Sequence, residues 1–283
     1  MNPLGVHALV WTGGWSEAES RHAIEESKAA GYDFIEIALL DPDSVDAPFT
    51  KRLLSEHGLD AHCSLGLSPG ADISSDDAEI AARGELLLQK ALACAAGFGA
   101  RYMVGVLYSA LAKYMCPATP RGRAHCVAAL KRLARGAREH GITLGLEVVN
   151  RYETNVINTA REALALVAEI GEPGVGVHLD TYHMNIEEDD MASPVRLCGD
   201  KLVYVHVGES HRGYLGSGSV DFAPFFRALR DEGYDGPIAF ESFSSAIVSP
   251  TLSNTLGVWR NLWSDGRDLA VRAHEFIHAH LRH

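Results

Sequence analysis

The 283-residue sequence predicts an α/β protein: a single (β/α)8 barrel of eight parallel strands, with one extra helix at the C-terminus. Three observations predict it. Short β-type runs alternate with amphipathic helical stretches from one end of the chain to the other. Eight runs qualify as strands, at 5–11, 34–40, 60–67, 102–108, 142–149, 175–181, 202–208 and 237–243. Each has β-branched or aromatic content and little charge, as strands buried on both faces do. No Gly-rich phosphate fingerprint follows the first run, where an open dinucleotide-binding sheet would carry one.

The helices between these runs have their own punctuation. Residues 16–31 open with Ser16 and Glu19 at capping-box spacing and end at Gly31. Residues 76–99 carry apolar positions at helical spacing and finish in GFG. The stretches 121–141 and 158–171 close at Gly141 and Gly171, residues suited to the left-handed position after a helix. Residues 221–233 and 253–263 supply two more helices, and 267–282 is the additional amphipathic one. No Pro-, Gly- or Ser-rich linker divides the chain, so residues 1–283 read as one domain.

Bulk composition narrows the function classes. Thirty-seven acidic against 25 basic residues give a formal net charge of −12, which repels nucleic acid and anionic membrane surfaces. The basic run KRLARGAR at 131–138 alternates with apolar residues and reads as a solvated helix face. Five Cys without a CxxC pair read as reduced thiols of a cytoplasmic protein. The N-terminus lacks the pattern of a signal peptide, and no apolar stretch reaches the length of a membrane span.

The chemistry concentrates in four residues: Glu147, Asp180, His206 and Glu241 stand near the ends of the runs ITLGLEVVN, VGVHLDT, LVYVHVGES and PIAFESF. They lie 33, 26 and 35 positions apart, about one strand-plus-helix unit each time. A parallel barrel gathers the carboxyl ends of its strands around one mouth, so the four converge there. Buried carboxylates are costly unless a metal, a cation or a hydrogen-bond donor compensates them. Three oxygen ligands and one imidazole suit Mn²⁺ or Mg²⁺, with Co²⁺ as a substitute. Polar residues just past the same strand ends, Glu153, His183 and Arg212, are placed to bind a substrate. Trp11, Trp15 and Tyr108 are candidate walls beneath a sugar, and His7 reads as core or as support behind the site.

Four segments, LEVVNRYETN (146–155), HLDTYHMNIEE (178–188), YVHVGESHRGYLGSG (204–218) and FESFSS (240–245), closely resemble the D-tagatose 3-epimerase family. That family includes the D-allulose (D-psicose) and L-ribulose 3-epimerases and belongs to the xylose-isomerase-like TIM barrels. The resemblance implies a Mn²⁺- or Co²⁺-dependent enzyme that inverts carbon 3 of a free ketose, and a homodimer or homotetramer. It implies that Glu147, Asp180, His206 and Glu241 hold the metal and that Glu147 and Glu241 double as the acid–base pair. It assigns Glu153, His183 and Arg212 to the carbon-1/carbon-2 end of the sugar. His7 stands where some relatives carry an aromatic ring, which bears on the preferred sugar.

Three rival readings remain distinct. An aldose–ketose or hydroxypyruvate-type isomerase needs acid–base groups across carbons 1 and 2. An endonuclease IV-type phosphodiesterase wants several metals and a basic surface, against the charge of −12. A non-catalytic sugar-binding module has no use for a paired acid and base.

Overall fold

The structure, a computed structural model, describes residues 2–282. Its strands are β1 (Leu4–His7), β2 (Phe34–Ala38), β3 (Asp60–Leu67), β4 (Tyr102–Ala110), β5 (Thr143–Glu147), β6 (Val175–Asp180), β7 (Leu202–Val207) and β8 (Ile238–Phe240). All pair in parallel, each with its sequence neighbours, and β8 returns to β1 to close the barrel. The helices are α1 (Glu17–Ala29), α2 (Ala47–His57), α3 (Ala78–Phe98), α4 (Pro120–Glu139), α5 (Ala160–Ile170), α6 (Thr181–Glu187), α7 (Ser193–Cys198), α8 (Phe222–Asp231), α9 (Pro250–Leu256) and α10 (Gly266–Arg282). Among the described residues no helix is long and apolar enough to cross a membrane.

Local chemistry sets the boundaries. Ser16 and Glu19 form the expected reciprocal capping box on α1, and Thr159 with Glu162 does the same for α5. Gly58, Gly99 and Gly171 end α2, α3 and α5 in the left-handed conformation. The basic run at 131–138 belongs to α4, which buries Leu130, Leu133, Ala134 and Ala137.

Four expectations shift. The first strand ends at His7 rather than at residue 11, because the His7 ring accepts the Leu9 N–H and turns the chain into a short 3₁₀ helix. The last strand is confined to Ile238–Phe240. Helix appears at Pro250–Leu256 and stops at Gly257, so most of the 253–263 stretch is not helical. Three helices, α2, α6 and α7, were absent from the sequence reading. Of these α2 is fully signalled, by an Asp46 cap, Pro48 in the first turn and Gly58 after the last.

Barrel strands repeat every second residue inward, which stacks the interior in layers. Phe34, Tyr204 and Ala239 each lie two residues before a polar residue of the mouth and, with Val104, form a separate apolar cluster below it. Gly5 leaves room for Phe34, whose ring atoms would stand 2.0 Å from an added Cβ.

Candidate active site

Each of the four acidic or imidazole residues is delivered by a strand end. Glu147 and Asp180 are the last residues of β5 and β6, His206 is next to last in β7, and Glu241 follows β8 directly. The ladder pairs Asp180 with His206, and the Glu241 N–H bonds the Val207 carbonyl, so these residues share one level. One ligand-type atom from each of the four lies within 4.8 Å of the others, all on buried residues. His206 Nδ1 faces Glu147 Oε1 at 3.5 Å and Glu241 Oε1 at 3.4 Å. That nitrogen is buried without a hydrogen-bond partner. An orphaned imidazole nitrogen among three carboxylates fits a divalent cation, and the oxygen-rich donor set fits a hard one.

The three loop residues converge on the same point. Asp180 caps α6 through Oδ1, which accepts the Tyr182 N–H, and its Oδ2 faces Arg212 Nη1 at 3.0 Å. The same Nη1 lies 2.5 Å from Glu241 Oε2. Arg212 holds a left-handed backbone, φ 62°, and its guanidinium stacks 3.7 Å over the Tyr182 ring. Ser242 donates to the Arg212 carbonyl and receives the Trp263 indole N–H, which ties the loop after β7 to the end of β8.

His183 Nδ1 accepts from Asn150, through both its backbone N–H and its side-chain amide. Its proton therefore sits on Nε2, which points into the site 3.8 Å from Glu147 Oε1 and 3.3 Å from Arg212 Nη2. Two donors facing each other across that gap suit an oxygen of a bound molecule. Asn150 also donates to Glu153, so one amide orients both side chains.

Burial and charge separate the carboxyls. Burial pushes Glu147 up to about 8, outweighing the help of His206, with Glu241 and Asp180 adding smaller repulsion. Burial likewise raises Glu153 to about 7 and Asp180 to about 6. For Glu241 burial is outweighed by Arg212 and His206, and its carboxyl falls below the usual range. Without a cation, the two glutamates thus differ in proton affinity.

The expected walls require correction. Trp11 turns its indole N–H to Ser27 on α1, and Trp15 turns its own to Thr50 on α2. Tyr108 is fully buried behind the site, donating to the Glu147 carbonyl. None of the three lines the cavity at the mouth. Leu9, Leu65, Leu111, Phe243 and Leu252 form its apolar sides instead, with His7 and Ser64 at its base. Indole and phenol groups sought hydroxyl and carbonyl partners, whereas leucines needed none.

Sequence reasoning also passed over two polar residues, Asn150 and Glu36. Glu36, in the apolar strand FIEIA, carried the same signal as the four that were noticed.

A family model described as a xylose isomerase-like TIM barrel matches residues 24–272. The L-ribulose 3-epimerase of Methylomonas sp. (strain DH-1) is 58% identical over 273 residues, 96% of both chains. A ketose 3-epimerase of Arthrobacter globiformis is 53% identical, covering 97% of this chain and 95% of its own. The crystal structure of the D-allulose 3-epimerase from Methylomonas sp. in complex with D-allulose superposes with a TM-score of 0.97 at 56% identity, covering 99% of this chain and 97% of that one.

Proposed function

The chain belongs to the ketose 3-epimerases of the xylose isomerase-like TIM-barrel family, and from that premise we propose that it inverts carbon 3 of free ketoses using Glu147 and Glu241 as the two proton-transfer groups. The observation that carries this reading is the convergence of two buried carboxylates: Glu147 Oε1 from the end of β5 and Glu241 Oε1 from the end of β8 lie 3.5 and 3.4 Å from the same unpartnered His206 nitrogen.

Inversion needs a base on one side of carbon 3 and an acid on the other, because a single group tends to return the proton to the side it came from. Glu241 or Glu147 removes the proton, according to which epimer is bound, and its partner delivers one to the opposite face of the planar enediolate. The His183 Nε2–H and the Arg212 Nη2 donors grip the oxygens at carbons 1 and 2, and Glu153 accepts from a hydroxyl at that end. Leu9, Leu65, Leu111 and Phe243 exclude water around the reacting carbon. Glu147, Asp180, His206 and Glu241 would hold a divalent cation, which when bound would supply Lewis-acid polarisation of the carbonyl. We assign Mn²⁺, with Co²⁺ or Mg²⁺ as substitutes, from the donor set. Assembly as a dimer or tetramer in the cytoplasm completes the proposal.

Incubation with D-fructose and Mn²⁺ tests it. D-allulose is the expected product, and an aldose in its place sinks the carbon-3 reading. A kcat/KM panel over D-fructose, D-allulose, D-tagatose and L-ribulose then ranks the substrates.

A further inference from the structure

Glu36 takes no part in the reaction described above, yet it is fully buried at the centre of β2. Its Oε2 accepts from two groups across the barrel, His206 Nε2 at 2.7 Å and the Tyr204 hydroxyl at 2.7 Å. His62 Nδ1 stands 3.2 Å behind that hydroxyl. The other oxygen, Oε1, has no hydrogen-bond partner and lies 3.5 Å from His7 Nε2. His7 Nδ1 accepts the Leu9 N–H, so Nε2 carries the ring proton and faces both Glu36 Oε1 and Ser64 Oγ.

An imidazole has two nitrogens, and a hydrogen bond at one decides what the other offers. With Nε2–H given to Glu36, the lone pair of His206 sits on Nδ1, the nitrogen that faces Glu147 and Glu241 and has no partner of its own. We propose that Glu36 is a positioning residue for the cation, fixing the tautomer and rotation of His206 so that Nδ1 is presented to the ligand cluster. A carboxylate behind a ligating imidazole both orients the ring and strengthens it as a donor. Packing alone accounts poorly for Glu36. A buried ion pair is often no better for stability than well-packed apolar residues. Tyr204 acts through the same atom, its hydroxyl holding Oε2 in place from one layer below.

The inference rests on the cation reading above, and titration of the metal-free full-length protein with Mn²⁺ by calorimetry separates the two. If the native protein binds no Mn²⁺, both fall. If it binds, Glu36→Gln is expected to weaken the Kd about 10- to 100-fold, the usual effect of losing such a partner. A Glu36→Gln protein with the native Kd overturns the positioning role, whatever its melting temperature. Should that variant fail to fold, Tyr204→Phe carries the test, with an expected loss of about threefold to tenfold and an unchanged Kd as the refuting result. A second readout is independent of turnover. In Mg²⁺-loaded protein the His206 Nε2–H should appear as a far-downfield, slowly exchanging proton resonance that Glu36→Gln shifts or abolishes. Its persistence unchanged in that variant overturns the proposal.

Discussion

Replacing Glu241 by Gln removes one of the two proposed proton-transfer groups without changing the volume of the site. Arg212 keeps its contact with Asp180 at 3.0 Å, so the buried guanidinium is not stranded. The loss of stability should stay within about 1–3 kcal/mol. General acid–base participation is worth about a hundred- to ten-thousandfold in rate. Epimerisation should therefore fall by at least that range, about 3–5 kcal/mol of barrier. The sharper assay is exchange in deuterated buffer with saturating Mn²⁺. With Glu241 gone, Glu147 still serves one face of carbon 3, so that face's epimer should take up deuterium without inverting. Glu147→Gln should show the mirror result, exchange confined to the other epimer. Exchange into both epimers by either variant, or epimerisation within tenfold of native, refutes the two-base assignment. Metal content measured on each variant keeps a lost cation from imitating a lost base.

Removal of the cation should be visible in stability as well as in turnover. Treatment with a chelator is expected to abolish epimerisation and lower Tm, and Mn²⁺ at about a thousand times its Kd should restore about 4 kcal/mol; an unchanged melting curve excludes a structural contribution. The metal-free protein should also lose Tm as pH rises from about 7 to 8, above the range in which the buried neutral His7, His62, His178 and His183 contribute the opposite slope. Asp180, Glu153 and Glu147 titrate near 6, 7 and 8 in the folded chain, above their unfolded values. Their contribution is present below the unfolded pKa and disappears as pH climbs through the folded one, so a Tm that rises across this window contradicts those shifts. Gly105 has φ +105°, and a Cβ there would meet the Leu65 carbonyl oxygen at 2.4 Å. Gly105→Ala should cost about 3 kcal/mol, a drop of about 5–10 °C by calorimetry, and a native-like Tm would show that the β3–β4 approach can relax.

The polar residues of β5 to β8 were legible because each interrupts an apolar run near its end, and periodic spacing linked them. Glu36 interrupts FIEIA in the same way. It was passed over because its partner, His206, is 170 residues away and no local motif announces it. Asn150 was hidden by the opposite circumstance, sitting inside a recognised motif whose charged members drew attention. The misplaced walls have a chemical cause. Aromatic residues were expected to face a sugar, but the N–H and O–H groups of Trp11, Trp15 and Tyr108 are satisfied only by turning toward Ser27, Thr50 and the Glu147 carbonyl. Helix α6 escaped notice because it starts at the residue after Asp180, with no loop to mark where strand gives way to helix.

The cavity draws on the two ends of the chain unequally. Leu9, Leu40, Leu65, Val106 and Leu111 come from the first four strand units, whereas Glu147, Glu153, His183, His206, Arg212 and Glu241 come from the last four. Most of the polar lining is therefore encoded in the second half of the gene and much of the apolar lining in the first, with Phe243 and Leu252 added from the last unit. Mutations in the first half can remodel the sugar's surroundings while the proton-transfer apparatus stays intact, so related barrels can diverge in taste without relearning the reaction. Several contacts cross this seam, among them Tyr108 to the Glu147 carbonyl, His7 beside Glu241, and Glu36 on β2 reaching His206 on β7. On the positioning role proposed for Glu36, a recombinant that grafts a foreign front half onto this back half needs a carboxylate at that position.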